Sequence, residues 1–260
     1  TMTSEMKNGL FPNIGAGADA ALNSVDAPLW FFWALQEYSN TLPDKSQIWQ
    51  QYGKKMKAVL NAYRKGTSFN IKMKDEGLVF QGCGGKALTW MDAVVNGIPV
   101  TQRYGFAVEI NALWYNAVMF SLELAEASND TDFVNEWKDI PEKTKAAFLK
   151  YFWNDKRGYL ADCYNGNTND PNAFDWKIRP NQIFACSLPY SMLTTEMCAS
   201  VLNVVKRELL TSKGLRTLAP ESTQLYKGVY QGNQEQRDSA YHQGVVWPWL
   251  LGHFCEAALK

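Results

Sequence analysis

The sequence predicts an all-α fold, a toroid of helical hairpins, and three observations carry that prediction. Segments apolar on nearly every side alternate with segments apolar on one side only. A short Gly-centred piece follows each one-sided segment, and the stretches after those pieces are long and rich in Gly, Asn and aromatic residues. A helix apolar all round is buried and a striped one meets water on one side, so the alternation reads as inner and outer helices in succession.

Residues 27–40 (APLWFFWALQEYSN) form the first inner helix, with Asp26 placed as N-cap and Pro28 in the first turn. The outer helix over about 44–64 carries Ile48, Tyr52, Met56, Val59, Leu60 and Tyr63 at helical spacing. Residues 108–127 are densely apolar, and 132–153 are charged along one side. Residues 180–193 are inner again, and 195–210 show the stripe Met197, Val201, Val204, Val205 and Leu209. Residues 245–259 (VVWPWLLGHFCEAAL) make a last inner helix. The Gly-centred pieces, strand-like and read as short β-hairpins in the loops, are residues 76–80, 157–161 and 213–218, around Gly77, Gly158 and Gly214. One Gly after a helix is an ordinary stop signal; three in phase with the helices mark a repeat. The loops that follow, 81–104, 162–179 and 219–243, gather on one rim, where sites are built. A closed double ring of six hairpins needs twelve helices. The chain therefore reads as a single toroid domain over 1–260 that is incomplete, or that another chain completes.

Composition narrows the function. Basic and acidic residues balance at 26 each, so there is no basic face for nucleic acid. No apolar run approaches the roughly 18–20 residues of a membrane span, and residues 1–13 lack a signal-peptide pattern. Five cysteines without a C-x-x-C pair, and only two histidines, predict free thiols in a reducing, cytoplasmic compartment, with no metal site and no cofactor. Ten Trp and twelve Tyr supply flat apolar faces with polar edges, which suit the C–H faces and hydroxyl rims of sugars.

Nucleophile chemistry finds no support, since G-x-S-x-G and a Gly-rich phosphate loop are both missing. Glycosidic bonds are broken by two carboxyl groups, one protonated and one charged. Asp92 fits the acid, because the apolar run Leu88-Thr89-Trp90-Met91 ahead of it raises a carboxyl pKa; a turn or N-cap aspartate is the plainer alternative. Glu109 opens an inner helix, where the helix dipole alone explains an acid, yet Trp114 and Asn116 accompany it on the same rim. Asp26 is both a possible cap and a rim carboxylate ahead of Trp30. Arg237, Asp238, His242 and Gln243 crowd together before Trp247 and Trp249, while Arg179, Asn181 and Gln182 surround Pro180. Carboxylates, amides and Trp at four inner-helix ends point to a sugar pocket.

These stretches resemble the C-terminal glucosidase domain of glycogen debranching enzymes, especially the bacterial type. The matching segments are NSVDAPLW (23–30), LTWMDA (88–93), VEINALWYN (108–116), RPNQ (179–182), GLRTLAP (214–220) and RDSAYHQGVVWPW (237–249), in family order. The resemblance implies an (α/α)6 toroid that hydrolyses, with inversion, the single α-1,6-linked glucose at a glycogen or limit-dextrin branch point. It implies Asp92 as general acid, with Asp26, Glu109, Arg179, His242, Gln243 and the Trp residues shaping the glucose subsite. The family's domain also carries an earlier Gly-Arg-Asp-Thr segment and a later Gly-Asp-Pro-Pro stretch. Where eukaryotic relatives place their catalytic base, after Gln-Gly, this chain has Val245-Val246. Glu221 is the in-chain candidate for the base, and a residue beyond Lys260 is the alternative. Other readings are a trehalase-like or oligosaccharide-processing toroid glucosidase and a non-catalytic glucan-binding fragment. An isoprenoid enzyme would want Asp-rich metal motifs that the sequence does not contain.

Overall fold

The computed structural model describes residues 2–13, 17, 21–220 and 224–260; Glu221 lies outside the described residues. Most of the regular structure is helical. The helices are α1 (Ala27–Ser39), α2 (Ser46–Lys65), α3 (Val108–Ala127), α4 (Thr131–Trp137), α5 (Ile140–Phe152), α6 (Phe184–Ser187), α7 (Thr195–Glu208), α8 (Gln234–Ala240) and α9 (Leu250–Leu259).

The core is built around α3. Every residue from 108 to 118 is buried, and α1, α2, α4, α5 and α6 all pack against this helix. An apolar surface on all sides leaves α3 no face for water, so other helices must surround it. The outer helices show the expected stripes. Helix α2 buries Ile48, Trp49, Met56, Val59, Leu60 and Tyr63, and α7 buries Val201, Val204 and Val205. Each remaining face is polar and faces solvent.

The three Gly-centred pieces are β-hairpins, one after each of α2, α5 and α7. Lys72–Met73 pairs with Val79–Phe80, Trp153–Asn154 with Tyr159–Leu160, and Leu210–Thr211 with Gly214–Arg216, all antiparallel. The third hairpin gains another strand, Val246–Trp247, which pairs with Leu215 and Arg216. Gly214 is required there. Its φ is +154°, and a Cβ at this position would stand 2.5 Å from the Trp247 carbonyl oxygen.

Prolines account for most departures from the expected helices. The inner helix expected over 180–193 is a 3-10 turn, Pro180–Ile183, followed by the single turn α6. Pro189 forces Leu188 into an extended conformation, φ −62° and ψ 148°, and the helix stops. The outer segment 132–153 is two helices, with Pro141 in the first turn of α5. The last helix starts at Leu250 rather than Val245, because Pro248 follows an extended Trp247. Nor are α1 and α9 buried all round: Tyr38 on α1 and Leu259 on α9 are 49% and 85% exposed. Asp26 does not cap α1; the Ala27 N–H donates instead to Ser24 Oγ at 2.9 Å. Helix α8, not expected, is started by a capping box between Asn233 and Gln236.

Gly214→Ala is expected to destabilise the protein by about 1–3 kcal/mol through backbone strain and the close approach to Trp247. A thermal melt should show a midpoint lowered by roughly 2–4 °C per kcal/mol. An unchanged midpoint would contradict the hairpin geometry.

Candidate active site

Residues 88–92 carry the site's most exposed acid. The segment is anchored by the Val25 N–H, which donates to the Leu88 carbonyl at 2.8 Å. Thr89 and Met91 are buried and line a cavity of about 250 Å3 together with Gln81, Thr101 and Arg103. Trp90 is half-buried and Asp92 exposed. The Trp90 indole donates to Asn181 Oδ1 at 2.8 Å. Its ring meets His242 and Trp249 edge-on, at centroid separations of 5.3 and 5.1 Å.

No side chain among the described residues donates to the Asp92 carboxyl. Partial desolvation by its neighbours pushes that carboxyl above the usual range. Asp26 is buried and accepts a hydrogen bond from Ser24 Oγ. Burial pushes its carboxyl up, the Ser24 bond opposes this, and the charge of Asp92 adds to it. Tyr241 is likewise pushed up, by burial first and then by Tyr230 and Asp92. Asp92, Asp26 and Tyr241 thus share one electrostatic neighbourhood.

Behind Trp90 lies a buried ionic network. Arg103 donates through both terminal nitrogens to the two carboxylate oxygens of Glu109. Its Nε donates to Asp162 Oδ2 at 2.9 Å, and Nη2 also reaches the Asp162 carbonyl at 3.0 Å. The side chains of Arg103, Glu109 and Asp162 are 3%, 1% and 2% exposed. Burial disfavours the Arg103 charge, but Asp162 and Glu109 outweigh it and hold the guanidinium well above its ordinary range. Asp162 Oδ1 accepts from Asn181 Nδ2 at 2.7 Å.

A second arginine ties the neighbouring segments. Arg179 donates to the carbonyls of Thr217 and His242 at 3.0 and 2.7 Å, and to Gln243 Oε1 at 3.0 Å. Gln243 Nε2 reaches Thr101 Oγ1 at 2.9 Å. Gln182 Nε2 donates to the Arg179 carbonyl at 3.2 Å. His242 is buried, and burial followed by the Arg179 and Arg103 charges lowers it to about 3.

The structure therefore brings together Asp92, Trp90, Asp26, Asn181, His242 and, through Arg179, Gln243 and Gln182. Trp247 joins them by stacking on His242 at 6.1 Å. Trp30 lies farther along, edge-on to Trp249 at 6.3 Å, and lines an open groove of about 800 Å3 between α1 and α9 with Trp33 and His253. Glu109 is beneath the site, both carboxylate oxygens engaged by Arg103. Trp114 is not in the cluster: its ring stacks on Tyr63 and its N–H donates to the Gly77 carbonyl at 3.0 Å. Arg237 and Asp238 sit on α8, held locally by Gly232 and Gln234. Sequence reasoning missed Arg103 and Asp162 as members of this cluster. Arg103 and Asp162 stand 59 residues apart, at the end of one long loop and the start of the next, so no local pattern announces the pair.

Chemically, the arrangement offers a solvent-facing carboxyl of raised proton affinity beside aromatic faces, with a second carboxyl close by. That combination can deliver a proton to a bound oxygen. Histidine cannot take that role near neutrality. His242 and His253, at about 3 and about 4, stay unprotonated in the folded protein. Between those values and the unfolded value near 6.5 the unfolded chain binds more protons, so stability falls as pH drops below about 6.5. Proton NMR of the imidazole C–H signals is expected to show no titration from pH 8 to 5. A midpoint near 6.5 for either residue would contradict the buried, neutral assignment.

Comparison with known proteins gives the family. The family model described as amylo-alpha-1,6-glucosidase matches residues 1–260. The glycogen debranching enzyme of Saccharomyces cerevisiae is 24% identical over 343 aligned residues, an alignment that covers 97% of this chain. The chain spans 22% of that relative's length. With its whole described length matched by the family model, the chain belongs to the amylo-alpha-1,6-glucosidase family of glycoside hydrolases.

Proposed function

We propose that this chain is a glucosidase domain acting on the α-1,6-linked glucose at branch points of glycogen or limit dextrin, with inversion. The observation that carries the reading is the Asp92 carboxyl: exposed, without a side-chain partner among the described residues, and raised in pKa beside Trp90. In this role Asp92 gives its proton to the glycosidic oxygen as the bond to the glucose C1 breaks. A charged carboxylate on the opposite face of the sugar activates the attacking water; Glu221 is the candidate within the chain. Asp26 is proposed to accept from a glucose hydroxyl, and Trp90, Trp247 and Trp30 to offer apolar faces. Arg179, Gln182, His242 and Gln243 shape the wall behind them, and Arg237 and Asp238 stand at its outer edge. The name of the yeast relative supports an α-glucan as substrate.

The proposed architecture is a single (α/α)6-type toroid domain, incomplete within these residues. Its support is the packing of α1, α3 and α6 against the striped helices α2, α5 and α7. The groove along α1 and α9 is then the seam that further hairpins close. No described helix is long and apolar enough to cross a membrane. The cytoplasm is the proposed setting, in keeping with five free cysteines.

The complete parent protein and its Asp92→Asn variant, assayed for glucose release from a branched limit dextrin, test the reading. Loss of the general acid is expected to lower kcat by about 10²–10⁴-fold. In the parent, the rate is expected to fall as pH rises through the raised Asp92 pKa, because the acid must hold its proton to act. Equal rates for the two proteins would remove Asp92 from this role.

A further inference from the structure

We infer that Asn181 and Arg103 are positioning residues that fix the orientation of the Trp90 ring next to Asp92, without themselves touching the sugar. The inference rests on the glucosidase reading for its substrate, but its geometry stands apart from it.

A half-buried Trp ring in an aromatic setting can turn about its side-chain torsions unless something holds its one polar atom. Here the Trp90 N–H donates to Asn181 Oδ1 at 2.8 Å. Asn181 is wholly buried, at 0% exposure, and its amide is used at both ends. Nδ2 donates to Asp162 Oδ1 at 2.7 Å and faces Met91 Sδ at 3.5 Å. That arrangement cannot flip. A carboxylate only accepts, so the amide nitrogen must face Asp162, which leaves the amide oxygen for the indole, a pure donor. Asp162 is fixed in turn by Arg103 Nε at 2.9 Å, and Arg103 is fixed by its fork on Glu109. Guanidinium, carboxylate, amide and indole form one series, each bond with a single allowed direction.

Two further contacts make the series bear on Asp92. Arg103 Nη1 lies 3.3 Å from Thr89 Oγ1, so the same guanidinium touches the segment that carries Trp90 and Asp92. The rings of His242 and Trp249 stand nearly perpendicular to Trp90, at 83° and 88°, and fence it laterally. A sugar that stacks on an aromatic ring needs that ring at a set angle. Freeing the indole therefore weakens substrate binding before it alters the chemical step.

A double-variant cycle in the complete parent protein tests this, reading KM and kcat with a branched limit dextrin. Asn181→Ala is expected to raise KM about tenfold with a much smaller change in kcat. In a Trp90→Phe background, which keeps the ring and removes its donor, Asn181→Ala is expected to have no further effect, because the link is already gone. The same factor in both backgrounds would overturn the inference, and so would a lowered melting point with KM unchanged.

Indole proton exchange, read by NMR on the signal that Trp90→Phe removes, gives an answer independent of turnover. Slow exchange in the parent and fast exchange in Asn181→Ala support the inference; equal rates overturn it. A parent that releases no glucose would sink the glucosidase reading while leaving this readout decisive. Should Asn181→Ala fail to fold, the isosteric Asn181→Asp serves. Its KM is expected to recover as pH falls and the new carboxyl gains a proton to donate to Asp162; a defect independent of pH overturns the inference.

Discussion

Arg103, enclosed with Glu109 and Asp162 away from water, is the interaction on which the rest of the site depends. Moving an ion out of water costs several kcal/mol even after relaxation, and the loss is offset only when geometry and hydrogen bonding are nearly complete. Here they are. Arg103 reaches both oxygens of Glu109, one oxygen and the carbonyl of Asp162, and the hydroxyl of Thr89. These partners come from three parts of the chain: the segment leading to Asp92, the first turn of α3, and the start of the next loop. The loop is joined to α3 again by the Val108 N–H, which donates to the Asp162 carbonyl at 3.1 Å. One cation thus seats two rim loops on the central helix.

The second buried cation extends the frame. Arg179 holds the carbonyls of Thr217 and His242 and the side chain of Gln243, so the last motif is fixed against the third hairpin. Two arginines under one pocket would flood it with positive charge, but Glu109 and Asp162 balance them. His242, buried beside Arg179, is held neutral at about 3 by burial first and then by the Arg179 and Arg103 charges. Asp92, out at the rim, is raised by desolvation. Burial thus keeps an imidazole unprotonated and a carboxyl protonated more readily than usual, which is the division a proton donor needs.

Much of the helical framework was legible because burial imposes a simple pattern. Helix α3 spans the expected 108–127, since a long apolar segment without proline has no competing local signal. The three hairpins were legible because Gly after a charged turn recurs in phase. The two shortened inner helices have one cause: residues 180–193 and 245–259 are apolar enough for inner helices, and the periodicity outweighed Pro189 and Pro248. The candidate residues Asp92, Trp90 and His242, which the fold brings together, stood out in the local sequence as a carboxyl after an apolar, aromatic run and a polar cluster ahead of Trp247 and Trp249. Trp114 was misplaced because it lies six residues into α3, about 9 Å along the axis from the helix start, where its ring packs on Tyr63. Arg103 and Asp162 were illegible for a different reason. Their significance is entirely in the pairing, which only the folded chain creates.

Urea unfolding of the Arg103→Leu variant tests this account most directly. Removing the guanidinium strands two buried carboxylates, so a loss of about 3–5 kcal/mol relative to the parent is predicted. A loss below about 1 kcal/mol would show that Glu109 and Asp162 do not need the cation, and the account of the site's frame would be wrong.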